Sequence, residues 1–201
     1  MVVENELLAG GGAVEPELAR RHDLGARPGA EPLRLRPSVE RLERDHTILM
    51  GANTYRLMAG FSAEAETLEA DEAAAVDELA RTPKVVFSST LQPPSAWANT
   101  RLVGGDAVEA VAAMKRDGAG PMRTLGSLAL CRSLLAAGLV DRFRVVVFPV
   151  ITGSTGRDRI YDGYPDVALD MVASRTFDGR IQLLEYVPTV PTGPPGAHPA
   201  S

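Results

Sequence analysis

Small and hydroxyl-bearing residues follow three apolar segments of this sequence, and their types suit the binding of an anion. They are Gly51, the run Ser88-Ser89-Thr90, and the pair Gly126-Ser127. A turn at the carboxyl end of a strand, followed by a helix, exposes backbone N–H groups and a helix dipole that attract negative charge. A phosphate fits such positions best. Because each junction alone is also typical of an ordinary turn or helix cap, which local features slightly favour for Ser88-Ser89-Thr90, the prediction depends on the three together.

The segment 121–149 shows how the chain positions one of these junctions. A short apolar strand ends before Gly126, Ser127 suits an N-cap, and apolar residues then recur at helical spacing as far as Gly138. Residues 143–150 are β-branched and apolar on both faces, as in an interior strand covered by helices. The pattern predicts a β-turn-α-β unit.

Similar patterns on both sides of this unit predict an α/β fold. Strands are predicted at 47–50, 84–87 and 100–103, and helices after Asn53, within 62–81 and after the cap Asp106. Asp-Gly at 178–179 between two apolar runs predicts an antiparallel hairpin that closes a mixed sheet flanked by helices. We expect a domain over 45–188, a flexible or divergent leader over 1–44 and a disordered tail over 189–201.

Composition argues against several classes of function. A net charge of -5 disfavours nucleic acid as the main partner, since binding its backbone needs a basic surface. No apolar stretch approaches the length of a membrane span, and the histidines are too far apart for a metal site. The single cysteine, Cys131, lies on an apolar helix face, which favours a reducing cytoplasm and disfavours a nucleophilic role. A small-molecule substrate is the expected partner.

The order of these segments resembles the dihydrofolate-reductase-like family, in particular the C-terminal reductase domain of bifunctional riboflavin-biosynthesis deaminase-reductases and its stand-alone relatives. The matching segments are 48–55 (ILMGANTY), 84–91 (KVVFSSTL), 99–103 (NTRLV), 125–130 (LGSLAL), 134–141 (LLAAGLVD), 148–153 (FPVITG) and 175–177 (RTF). The resemblance implies a dihydrofolate-reductase-like fold. It also implies a reductase that transfers hydride from NADPH to a heterocyclic substrate, as 5-amino-6-(5-phosphoribosylamino)uracil reductase does.

The resemblance further implies a set of cofactor-binding residues. The matched positions are Gly51, Thr54, Ser88, Ser89, Gly126, Ser127 and Leu128. The first two match residues that hold the diphosphate, and the two serines match positions near the adenosine ribose and its 2′-phosphate. The last three match the loop and helix start that face the diphosphate and the nicotinamide. No catalytic acid or base and no metal ligand follows from the resemblance.

The sequence departs from the family pattern in two places. Relatives have a basic residue directly after the first glycine, and Ala52 in that position removes a charge-assisted phosphate contact, so NADH is not excluded as the cofactor. Relatives also begin with an interior strand that ends in a Ser-Leu-Asp-Gly-like segment, which we do not recognise in residues 1–46. The first strand is therefore expected to be missing or divergent, which would leave its two neighbours without ladder partners.

Three interpretations follow. The first is a cytoplasmic NAD(P)H-dependent reductase, a homodimer as its relatives commonly are. The second is a non-catalytic module that keeps the fold for nucleotide binding or dimerisation and is inactive through loss of the first strand. The third is a truncated product that folds poorly alone. Cofactor binding separates the first two from the third, and turnover separates the first from the second.

Overall fold

A computed structural model describes residues 2–7, 46–63, 70–92, 97–147, 149, 161–177 and 179–193. Its elements are β1 (Val2–Leu7), β2 (Thr47–Gly51), α1 (Ala52–Ala63), α2 (Ala70–Arg81), β3 (Lys84–Phe87), β4 (Thr100–Val103), α3 (Ala107–Arg116), β5 (Met122–Thr124), α4 (Leu128–Ala136), β6 (Arg142–Val147), β7 (Ala168–Phe177) and β8 (Ile181–Thr189). The strands and helices predicted between residues 46 and 188 are present, with ends shifted by a few residues. Most of the predicted leader and tail lies outside the described residues.

The described strands form one sheet in the order β4-β3-β2-β5-β1-β6-β8-β7. Neighbours are parallel from β4 to β6, whereas β8 is antiparallel to both β6 and β7. The predicted mixed sheet with a closing hairpin is confirmed. Because β2, β3, β4 and β5 run in the same direction, the junctions that follow them meet at one edge of the sheet.

Side chains of β2 alternate between two hydrophobic cores, one on each face of the sheet. Leu49 packs in a core shared with α3 and α4, whereas Ile48 and Met50 pack in a core shared with α1 and α2. This alternation follows from the pleat of a strand, which sends successive side chains to opposite faces. Both faces of the central strands are therefore covered, and their carboxyl edge is left for ligands.

The expectation of a missing first strand is wrong, because β1 occupies an interior position. Val2 lies opposite Arg123 of β5, and on the other side β1 pairs along its whole length with β6. The sequence VVENEL was not recognisable as an interior strand, since its second half is mostly polar. The strand is divergent rather than absent, and the segment that would follow it lies outside the described residues.

The prediction that β6 is apolar on both faces is also wrong at one position. Arg144 is buried, with 6% exposure, and its Nε donates to Glu185 Oε2 of β8 at 2.6 Å. Glu185 also pairs with Arg142 at 3.2 Å. The antiparallel neighbour thus supplies the carboxylate that a buried guanidinium needs.

No helix in the described part of the chain is long and apolar enough to cross a membrane.

Candidate functional site

Two of the predicted junctions are joined by direct hydrogen bonds. The N–H of Gly51 donates to Ser127 Oγ at 2.7 Å, and Ser127 Oγ lies 2.9 Å from Thr54 Oγ1. The contact forms because β2 and β5 are neighbours in the sheet, so the start of α1 lies beside the start of α4. Gly51, Thr54, Gly126 and Ser127 form one group, called here the glycine–hydroxyl cluster.

Both glycines of the cluster permit this close approach. A Cβ atom on Gly51 would lie 3.2 Å from Ser127 Oγ, and one on Gly126 would lie 3.1 Å from Thr54 Oγ1 and Cγ2. Gly126 also has φ +57, a left-handed conformation that side chains with a Cβ rarely adopt. Larger residues at either position would push the two junctions apart.

Ser127 occupies the predicted N-cap position of α4, but its side chain does not cap the helix. The residue has φ 58 and ψ 62, and its hydroxyl makes no capping bond. The hydroxyl is engaged with Gly51 instead. The cap residue therefore gives no side-chain acceptor to the N–H groups of the first turn of α4, and those groups are suited to an anionic ligand.

The cluster has one hydroxyl hydrogen left for a further acceptor. Thr54 and Ser127 share a single hydrogen bond, which uses one of their two hydroxyl hydrogens. The Gly51 N–H is already donated to Ser127. No described residue accepts the second hydroxyl hydrogen, so the cluster offers a donor and no charge of its own.

Ser88 lies at the neighbouring junction, after β3, and closes a turn. Its Oγ accepts the N–H groups of Thr90 at 3.1 Å and Leu91 at 3.0 Å. This is the ordinary role in a turn that the sequence predicts as the alternative to phosphate binding. Ser89 and Thr90 are exposed beside it. Within the described residues, no hydrogen bond joins Ser88 or Ser89 to the glycine–hydroxyl cluster.

Arg56 is a candidate site residue that sequence reasoning missed. Its guanidinium donates to Asn53 Oδ1 at 3.1 Å and to Thr90 Oγ1 at 3.2 Å, which connects α1 to the turn after β3. The helix predicted after Asn53 begins two residues earlier than expected, at Ala52, so Asn53 lies within the helix and does not cap it. A signal was present in the spacing, because Arg56 is one helical turn beyond Ala52 and on the same side of the helix.

Leu128 gives the same edge an apolar surface. It is the first residue of α4 and is 40% exposed, directly after Ser127. An exposed leucine beside hydrogen-bond donors provides the kind of wall that a planar heterocyclic ring packs against.

The junction after β4 differs from the other three. Asp106 accepts the N–H groups of Val108 at 2.7 Å and Glu109 at 3.0 Å, which confirms the predicted cap of α3. A carboxylate at this helix start opposes a second anion. The groups suited to an anion are therefore those that follow β2, β3 and β5.

A cavity of about 790 Å³ lies at the opposite, amino edge of the sheet, beside the buried Lys84. The Lys84 Nζ donates to the carbonyls of Leu79, Ala80 and Thr82 at 2.6, 3.0 and 2.6 Å, and lies 4.5 Å from the centre of the Trp97 ring. Burial lowers the pKa of Lys84 to about 8. Since all three N–H groups of the ammonium bind carbonyls at the end of α2, this lysine has a structural role.

Metal and thiol chemistry have no support in the described residues. Their histidine, cysteine and acidic side chains form no group able to hold a metal ion. Cys131 is fully buried beneath the loop before α4, with its Sγ 3.4 Å from the Gly126 carbonyl oxygen. Burial raises the pKa of the Cys131 thiol. A buried, protonated thiol is a poor nucleophile.

Comparison with known proteins assigns the family. Residues 25–183 match the RibD C-terminal domain, so the chain belongs to this family. The resemblance to the riboflavin-biosynthesis reductase domains is confirmed. The match begins after β1, as expected for a divergent first strand.

A solved structure agrees with the fold, and a second one shows a weaker similarity. A protein from Shewanella sp. PV-4, named for a provisional role in riboflavin biosynthesis, is 17% identical with a TM-score of 0.62, and the similarity covers 94% of this chain and 98% of that one. A pyrimidine reductase-like protein from Corynebacterium diphtheriae is 11% identical with a TM-score of 0.42, over 71% of this chain and 75% of that one. The fold assignment depends on the first of these. No curated protein matches the chain.

Proposed function

We propose that the chain is an NADPH-dependent reductase that transfers hydride to a heterocyclic small molecule, in the class of 5-amino-6-(5-phosphoribosylamino)uracil reductase. The observation that carries this proposal is the glycine–hydroxyl cluster at the carboxyl edge of the sheet, in a chain of the RibD C-terminal domain family. Ligands of open α/β sheets bind outside the carboxyl ends of the strands.

The described residues fit a dinucleotide at this edge. Gly51 and Gly126 have no side chain, which lets the two junctions meet. The start of α4 has no side-chain cap that would compete with a ligand. The remaining hydroxyl hydrogen of the cluster and the first-turn N–H groups of α4 would hold the diphosphate. Leu128 would pack against the nicotinamide, and Ser88 and Ser89 would lie near the adenosine ribose.

NADPH, when bound, supplies the hydride. The chain would fix the cofactor at the carboxyl edge, and Leu128 would help to exclude water from the nicotinamide ring. Hydride transfer depends on placement and electrostatics rather than on a protein nucleophile. A buried, protonated Cys131 and the absence of an assigned acid or base are compatible with this chemistry.

The physical reason for the non-catalytic alternative was a missing first strand, and that strand is present in the sheet. The alternative assumed that the first strand is lost from a place between the Thr47 and Met122 strands, but these two strands, β2 and β5, pair directly with each other, and the place of β1 is between β5 and β6. β1 pairs with both of these strands, so the sheet has no such gap.

A thermal melt of the full chain with and without NADPH tests the proposal. Saturation at about a hundredfold excess over Kd adds roughly 2.7 kcal/mol to the free energy of unfolding, which raises the Tm by several degrees. A pyrimidine substrate added next should oxidise bound NADPH. If neither NADPH nor NADH moves the Tm, the proposal is contradicted. Binding without oxidation of any pyrimidine or pteridine tested would favour the non-catalytic module.

We also propose that the protein acts in the cytoplasm as a homodimer. A second copy would cover β7, an edge strand of the described sheet on which Met171 and Val172 are 60% and 50% exposed. Sedimentation velocity tests this, since a dimer is expected for the full chain, and a Met171→Lys variant should shift it toward monomer. A monomeric full chain would contradict the dimer without affecting the cofactor site.

A further inference from the structure

We propose that the cavity at the amino edge of the sheet is a second ligand site, which binds a small aromatic carboxylate through Arg101. This site is independent of the proposed reductase function, because it lies at the opposite ends of the strands from the glycine–hydroxyl cluster. Strand β3, with four residues, separates the two edges by about 13 Å. The shape, the polarity and the charge of the cavity support the assignment.

The cavity has a buried floor and an exposed rim. The floor includes Val85, Trp97 and Met122, which are between 3% and 4% exposed, and the rim includes the exposed Arg101 and Ala119. The volume of about 790 Å³ lies within the range of small-molecule pockets, about 300–1,000 Å³. A ligand of one or two rings would enter past the rim and rest on the floor.

The walls of the cavity are suited to an aromatic ring. Met114 from α3 and Met122 from β5 line it, and the side chains of Val85 and Leu102 add apolar surface. A methionine side chain is unbranched and adapts to the shape of a ligand, and its sulfur makes favourable contacts with the edges of aromatic rings. A mainly apolar lining with a few polar groups at its rim is typical of sites for small organic molecules.

The charge of the cavity favours an anion. Its described lining residues include two cations, Lys84 and Arg101, and neither aspartate nor glutamate. The Lys84 ammonium is already used, since its three N–H groups bind carbonyl oxygens. The guanidinium of Arg101 donates only to the Met114 sulfur, at 3.2 Å, which is a weak acceptor, and no described carboxylate pairs with it. Arg101 is therefore the group available to a carboxylate.

The contact between Arg101 and Met114 relates the carboxylate to the ring. The planar guanidinium can bind both oxygens of a carboxylate, which would replace the weak contact with sulfur. An aromatic ring attached to that carboxylate would then pack against the Met114 side chain. The adjoining cavity, of about 370 Å³, contains the carboxylate of Glu78, which opposes an anion. The negative end of the ligand is thus expected at β4, beside Arg101.

Trp97 provides a direct readout of this cavity, because it is the only tryptophan in the sequence. The test titrates the full chain, without cofactor, with para-tert-butylbenzoate and follows the fluorescence of Trp97. We expect a saturable change with a Kd on the order of 1 mM or below, as is usual for a ligand of this size. The uncharged para-tert-butylbenzamide has nearly the same shape and should bind about tenfold more weakly, since it lacks the charge-assisted bond to Arg101.

Three variants identify the groups that bind the probe. Arg101→Gln should weaken the binding of the benzoate about tenfold and change that of the benzamide less than about twofold. Arg180→Gln, at another exposed arginine in the turn before β8, is the matched control and should leave both affinities unchanged. Met114→Ala removes a wall of the cavity and should weaken the binding of both compounds, and a thermal melt shows whether this variant remains folded.

Three results would each overturn the inference. They are a benzoate that leaves the fluorescence of Trp97 unchanged, equal affinities of the wild type for the benzoate and the benzamide, and an Arg101→Gln chain with the wild-type affinity for the benzoate. None of these measurements uses NADPH or NADH, so none of these results affects the proposed reductase function.

Discussion

Ser127 Oγ accepts the backbone N–H of Gly51 across 76 residues of sequence, at a distance of 2.7 Å. This one bond fixes the start of α4 against the end of β2. It also removes the serine hydroxyl from its usual capping position, so the first-turn N–H groups of α4 remain without a side-chain acceptor. The same residue thus holds the site together and leaves it suited to an anion.

Replacing Ser127 by Ala should weaken both the fold and the cofactor site. The Gly51 N–H loses its acceptor, which costs about 1 kcal/mol in a partly buried position, and the alanine methyl group cannot hold the two junctions together. Chemical denaturation and NADPH titration measure the two effects. Ser133→Ala is the matched control, since Ser133 is exposed on the same helix and bonds only to its own helix at Ala129. Equal NADPH affinity for both variants would contradict the role of Ser127.

Replacing Gly126 by Ala should be more damaging than replacing Gly105 by Ala. Both glycines have positive φ, +57 and +85, so each substitution carries the left-handed backbone cost of about 1–2 kcal/mol. Only at Gly126 would the new methyl group also meet Thr54, at 3.1 Å, whereas nothing lies within 4 Å at Gly105. The difference between the two free energies of unfolding therefore isolates the contact. Equal losses would show that the two junctions are not closely packed.

A proline in β1 should disrupt the sheet, because β1 pairs with strands on both sides. Asn5→Pro removes a backbone N–H from a strand that pairs with β6 along its length, and interior strands do not accept proline. We expect a loss of about 3 kcal/mol or more, or no cooperative unfolding at all. Asn5→Ala keeps the backbone donor and is the control. A stable, cooperative Asn5→Pro variant would mean that β1 is not an interior strand.

Replacing Lys84 by Met should destabilise the fold by about 1–3 kcal/mol at neutral pH, because carbonyls at the end of α2 lose their donors.

The contribution of Lys84 to stability should depend on pH with a definite sign. Burial lowers the pKa of Lys84 in the folded chain from 10.5 to about 8, so between these values the unfolded chain holds the proton that the folded chain has released. Stability from this group is therefore gained as the pH rises from 8 to 10.5. Urea titrations should show the difference between wild type and Lys84→Met growing over that range, and a shrinking difference would contradict the assignment.

Much of the fold was predictable because its strands carry dense apolar runs between turn residues. The segments around Leu49, Val85 and Val145 are of this kind, and each is a buried strand. β1 has no such run, since polar residues occupy much of it and a long segment separates it from the next strand. Its place in the sheet depends on pairing with distant strands, which no local pattern encodes.

Single residues of the candidate site could be predicted from the sequence, but their contacts with one another could not. Gly51, Gly126 and Ser127 were identifiable from strand-to-helix turns, yet their contact follows from β2 lying beside β5, which is a property of the sheet order. Arg56 was missed for a different reason. The residue directly after Gly51 is the small Ala52, and Arg56, one helical turn further along α1, contacts the turn after β3 through Thr90 Oγ1.

The most direct test of the cofactor site is an amide chemical-shift map of the full chain with NADPH, by nitrogen-15 NMR. A ligand at the carboxyl edge should shift the resonances of Gly51, Ser127 and Leu128 first, with Ser89 and Thr90 responding to NADPH more than to NADH. The amino-edge cavity beside Lys84 and Trp97 should not respond. Shifts confined to that cavity, or no shifts with either cofactor, would contradict a dinucleotide site at the carboxyl edge of this sheet.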